Sequence, residues 1–147
     1  MNTHTVDELL RDGVARAAAV VALAGVALIH IIDAPNTFPE TPYIGWLYVG
    51  LIGGCLLTAA ALVRGRDRRA WLAAGLLPLG AIVGFVLTRT VGLPADTGDI
   101  GNWSEPLGMA SLFVEGSLVG LSAVVLGGYL HPTARRTDRA SWRTAQA

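Results

Sequence analysis

The sequence predicts an all-α integral membrane protein, a four-helix bundle with N-in, C-in topology. Three observations carry that prediction. Four apolar stretches, at about 14–32, 43–63, 70–88 and 107–130, each reach the roughly 20 residues that a transmembrane helix needs. The composition agrees: of 147 residues, 52% are hydrophobic and 15% charged, against about 25% charged in a soluble domain. The mean hydropathy is +0.51. Third, charge is sided. All eleven basic residues are Arg, and four of them fall in Arg64-Gly-Arg-Asp-Arg-Arg69. Others lie before the first stretch (Arg11, Arg16) and in the tail after the fourth, whereas the other two connections hold only Arg89. The positive-inside rule then places both termini and the Arg64–Arg69 loop in the cytoplasm.

The chain forms a single membrane domain over 1–147, with nothing left over that is long enough for a soluble core. Residues 1–13 are a short lead in which Thr5-Val-Asp-Glu8 fits a capping box, so a helix is expected to start near Val6, with Gly13 as a break. Its acidic residues offset its Arg residues and no A-x-A site follows the first span, which is therefore read as retained rather than as a cleaved signal. The first span is expected to end near Asp33, because Pro35 disfavours helix at the residue before it. Ala34–Pro42 then carries three prolines and reads as an irregular, stiff loop. Span two opens with Tyr43, Trp46 and Tyr48, as an interfacial aromatic belt does, and Trp103 is a second anchor of the same kind. Span three holds Pro78, which should bend it. The loop from Arg89 to Pro106 is rich in turn formers, and Ser104 suits the N-cap of span four. The tail 131–147 is polar and Arg-rich.

Gly50/Gly54, Gly80/Gly84 and Gly116/Gly120 match GxxxG, which lets helix backbones approach closely. They serve either as seams within the bundle or as contacts with a partner membrane subunit or a second copy.

Ionisable residues inside apolar stretches are expensive in hydrocarbon and mark shared polar sites. Five are candidates here: His30, Asp33, Arg89, Glu105 and Glu115. Glu115 lies nine residues past Pro106, about 13 Å into a roughly 30 Å core. Gly108, Ser111, Glu115 and Ser122 share one small, polar helix stripe, which argues that Glu115 faces inward. His30 and Asp33 are three residues apart on one face. A carboxylate beside an imidazole suits a metal ligand, a proton acceptor or a headgroup partner; the competing reading is a core histidine bonded to a backbone carbonyl. Arg89 can pair with Asp33, Glu105 or Glu115, hold an anionic ligand, or snorkel to the interface. Glu105 is favourable at a helix N-terminus by the macrodipole alone.

One histidine with three carboxylates is a possible divalent-metal set, although no H-x-x-E or H-x-x-x-H spacing is present. Asp96, Asp99 and Asn102 do not follow the EF-hand spacing. His4 and His131 fall on the opposite side, which leaves no second histidine for bis-His haem ligation within one chain. Cys55 is the only cysteine, so an intramolecular disulfide and C-x-x-C redox chemistry, as in vitamin K epoxide reductases, are excluded. The net charge of +0 points to no nucleic-acid partner.

Arg89-Thr-Val-Gly-Leu-Pro94, then Trp103-Ser-Glu-Pro-Leu-Gly108 and Glu115, resembles a pattern of small four-span proteins from high-GC Gram-positive bacteria. The resemblance covers the third span, the loop after it and the fourth span. It implies a bacterial inner-membrane protein and names no activity. Three functions fit: a binding protein for a metal ion, small ligand or lipid headgroup; a structural or assembly subunit; and a proton- or ion-coupled carrier using Glu115. An enzyme is least favoured, since no nucleophile–base pair or complete metal motif occurs.

Overall fold

The computed structural model describes residues 3–65 and 67–130. His131, the Arg-rich tail and Arg66 lie outside them, as does the side chain of His4. Among the described residues are four helices and no strand: α1 (Thr3–Glu40), α2 (Pro42–Arg64), α3 (Arg68–Thr90) and α4 (Pro106–Leu130). All four are long and apolar enough to cross a membrane. Only 17–28% of each span's most apolar window is buried within the bundle. The rest is half-buried or exposed, and a helix that is apolar all round needs a hydrocarbon surround.

Helices α2 to α4 contain their expected spans with small extensions. Helix α1 does not end near Asp33. It runs on through Pro35 and Pro39 to Glu40, so Ala34–Glu40 is helix rather than irregular loop. Both prolines are exposed and, four residues apart, share one face. The Thr37 hydroxyl donates to the Asp33 carbonyl (3.2 Å), and the Thr41 amide donates to the Thr37 carbonyl (2.8 Å). Side-chain and turn donors thus serve carbonyls in a segment short of amides. At the other end α1 starts at Thr3, upstream of the expected capping box, and Gly13 does not break it. An Asp12–Arg16 ion pair at 3.1 Å bridges Gly13 on the helix surface. Helix α3 likewise continues through the buried Pro78.

The chain turns from α1 into α2 at Thr41 alone, with Pro42 as the first residue of α2. This turn demands a small residue at 45: a Cβ there would lie 2.6 Å from the Phe38 ring. Helices pack most closely as the pairs α1–α2 and α3–α4, and the pairs join through α1–α4 and α2–α3.

The bundle is closed along only half its length. Its apolar core is Ala19, Leu23, Val26 and Ala27 of α1, Cys55 and Leu62 of α2, Ala70, Trp71 and Ala74 of α3, and Leu118 of α4. Every one of these lies toward the end that carries the α2–α3 connection. Toward the Arg89 end the buried residues are mainly polar: His30, Thr41, Arg89, Ser111 and Glu115.

Within the bundle the GxxxG pairs are mostly not seams. Of their six glycines only Gly54 approaches another helix, where a Cβ would come within 3.0 Å of Leu77. Around Gly50, Gly80, Gly84, Gly116 and Gly120 a Cβ would meet nothing within 4 Å. Glycines outside these pairs also approach other helices: Gly45 against Phe38, Gly108 against Phe85, Gly25 against Val114 and Gly75 against Ser122.

Candidate ligand cavity

The open half of the bundle encloses a cavity of about 840 Å³. All five ionisable residues singled out in the sequence line it: His30 and Asp33 from α1, Arg89 from α3, Glu105 from the loop, and Glu115 from α4. Helix periodicity does the placing. Ser111, Glu115, Leu118 and Ser122 are the buried residues of α4, so the polar stripe does turn inward.

Glu115 forms the floor, where the apolar core begins, and is 1% exposed. The Ser111 hydroxyl, one turn away, donates to its Oε1 at 2.7 Å. His30 Nε2 stands 3.9 Å from the same oxygen, close enough for attraction but beyond a hydrogen bond. His30 Nδ1 lies 2.9 Å from the Val26 carbonyl. A proton on Nδ1 satisfies that carbonyl and leaves Nε2 turned toward Glu115.

The expected His30–Asp33 partnership is not formed. Asp33 takes the Tyr48 hydroxyl at 2.9 Å and the Thr37 hydroxyl at 3.4 Å instead. Tyr48 is the link, since its ring also meets the His30 imidazole edge-on at 4.7 Å. In the sequence Tyr48 reads as part of an interfacial belt. Its position one helical turn below Pro42–Ile44 was the available sign that it faces α1.

Arg89 is neither a snorkelling residue nor a partner of Asp33 or Glu115. It is 5% exposed and bridges two carboxylates, Asp99 through Nη1 (2.6 Å) and Glu105 through Nη2 (2.5 Å). Its guanidinium lies 4.6 Å over the Phe85 ring. Gly108 provides the room for Phe85, whose ring a Cβ at 108 would strike. The sequence does not single out Asp99 as a partner, because a fifteen-residue connection hides which of its acids folds back.

That connection is built on Arg89. The Gly101 amide donates to the Arg89 carbonyl at 2.9 Å, and Gly92, at φ +75°, turns the chain off α3. Leu93 and Asp96 exchange two backbone hydrogen bonds of 2.8 Å around Pro94-Ala95. Tyr43 ties this turn to α2 by donating to the Pro94 carbonyl at 2.8 Å. Trp46 and Trp103 are both exposed at this end, as interfacial anchors require.

Burial in the turn, with Asp99 close by, pushes the Asp96 carboxyl above its ordinary range, and Arg89 offsets part of this. A raised pKa means that the folded chain binds the proton more tightly than the unfolded one. Ionised Asp96 therefore costs stability at neutral pH, and the cost vanishes below the ordinary aspartate value of about 3.9. Asp96→Asn is expected to raise the thermal midpoint at about pH 7 and to leave it unchanged near pH 3. Equal shifts at both would trace the gain to something other than charge.

The arrangement lacks the metal set that the sequence allowed. Among the described residues no three His, Cys, Asp or Glu side chains come together as a metal would need. Tyr48, Thr37, Ser111 and Arg89 hold the carboxylates apart. What remains is a wide, charged vestibule with apolar walls. Comparison with protein-family models, curated proteins and solved structures gives no match.

Proposed function

We propose that this is a small polytopic binding protein of a bacterial inner membrane, with a vestibule facing the extracytoplasmic side. One observation carries the reading: five ionisable residues from three helices and the connection between α3 and α4 line one cavity of about 840 Å³. That volume lies within the roughly 300–1,000 Å³ of small-molecule sites. Packed apolar side chains would fill the same space at no electrostatic cost, so keeping charges there argues for a ligand. The outward orientation rests on the Arg residues gathered at the other end. The bacterial assignment rests on the resemblance of the Arg89–Glu115 segment.

Two measurements test this. In a Cys55→Ala background, Ser111→Cys on the cavity wall should react with a membrane-impermeant thiol reagent added to intact cells. Reaction only after permeabilisation would reverse the orientation. Native mass spectrometry of the protein released from its own membranes should show a small-molecule adduct. Gly84→Trp, whose ring would fill open space in the cavity, should remove it. An adduct retained in full by that variant would place binding elsewhere.

A further inference from the structure

The charge of the cavity and the shape of its wall define the ligand more narrowly. Six carboxylates line it: Asp33, Glu40, Asp96, Asp99, Glu105 and Glu115. Against them stands Arg89, the only Lys or Arg in the lining, and it is already held by Asp99 and Glu105. Asp33 and Glu115 have only neutral donors at hydrogen-bond distance among the described residues, Tyr48, Thr37 and Ser111. His30 is the one further group able to carry positive charge nearby, 3.9 Å from Glu115. Asp33 and Glu115, on the spans themselves, need positive charge at membrane depth, and the described residues do not supply enough of it.

The side wall is of a different kind. Trp46, Leu47 and Gly50 of α2 and Leu76 and Gly80 of α3 line the cavity and are exposed. Trp46 is 68% exposed, and Leu47 and Leu76 are each 64% exposed. Lining residues of two neighbouring helices this exposed mark an opening, so the cavity communicates with the bilayer through a slot between α2 and α3. Glycine keeps the slot wide: a Cβ at 50, 80 or 84 would touch nothing within 4 Å.

We propose that the ligand is a cationic amphiphile, an amine or quaternary ammonium on an apolar tail, that enters sideways from the membrane. Its positive group sits between Asp33 and Glu115, and its tail lies in the slot beside Gly80 and Gly84. This rests on the binding reading above and adds the ligand's charge and its route.

The test uses the full chain in lipid nanodiscs with three probes of equal tail length, dodecyltrimethylammonium, dodecyl sulfate and dodecyl maltoside, plus tetramethylammonium as a headgroup without a tail. Saturable binding is read by native mass spectrometry and by quenching of tryptophan emission. One dodecyltrimethylammonium should bind at least about tenfold more tightly than either other amphiphile or tetramethylammonium. Asp33→Asn with Glu115→Gln should lose that preference, since truncating a buried ionic partner weakens binding by about tenfold or more. Gly80→Trp should abolish binding of the amphiphile. The glycine side has open space, so this variant keeps the fold, which circular dichroism checks. Dodecyl sulfate or dodecyl maltoside binding as well as the cation, and lost in Gly80→Trp, would overturn the cationic class while leaving a ligand cavity in place. Tetramethylammonium binding as tightly as the amphiphile would overturn the slot. No saturable binding by any probe would overturn the inference, while an adduct from native membranes lost in Gly84→Trp would still support the binding reading.

Discussion

Arg89→Ala is expected to cost about 2–3 kcal/mol of stability and to release the segment between α3 and α4. Breaking a buried ion pair by removing one partner costs about 3–5 kcal/mol, because the other charge is left uncompensated. Here Asp99 and Glu105 are 43% and 37% exposed at their side chains, so water recovers part of the loss. The local effect should exceed the global one. Asp99 stands midway along the segment and Glu105 at its far end, and Arg89 is what draws both back to α3. Amide exchange across residues 91–105 should rise by orders of magnitude, while α1 and the core half of α3 stay protected. Arg89→Lys should recover less than half of the stability. The two carboxylates use two different guanidinium nitrogens, and an ammonium is a single point of charge. Unchanged exchange in the segment would show that it holds itself together without Arg89.

The second large effect belongs to the opposite half. Trp71 is fully buried and is the largest side chain in the apolar core, so Trp71→Ala should cost about 3–5 kcal/mol. Its indole Nε1 has no acceptor among the described residues, so Trp71→Phe should cost far less than the truncation. Thermal midpoints in detergent micelles measure both. The variants of Arg89 and Trp71 should also separate by location. Trp71→Ala loosens the closed half and leaves exchange at 91–105 unchanged, whereas Arg89→Ala does the reverse. A common pattern of exchange in both would mean that the two halves unfold as one unit, against the division between apolar core and polar cavity.

Much of this division could be read before any coordinates. Spans two to four follow from length and hydropathy, because hydrocarbon imposes both. The inward turn of Glu115 follows from the small polar stripe on α4, since helix period alone fixes which residues share a face. What could not be read depended on contacts made across helices. Pro35 and Pro39 argue for a loop by local rules, yet tertiary packing of Phe38 on Gly45 and the hydroxyl of Thr37 carry α1 past both. Asp33 looks like a partner for His30 by spacing, but Tyr48 of α2 is closer in space. The glycine pairs look like seams by motif, and only their surroundings show that Gly50, Gly80 and Gly84 border empty space.

Closure along only one half of the bundle also shapes the electric field across the membrane. If water fills the vestibule, its interior is at nearly the potential of the solution it opens to, and the voltage falls across the packed half alone. Moving one charge through the whole potential is worth about 2.3 kcal/mol per 100 mV. A cation resting beside Glu115 would have crossed little of that drop. Its occupancy should then be almost indifferent to membrane energisation, whereas any step carrying the charge past Trp71 would feel nearly all of it over half the thickness.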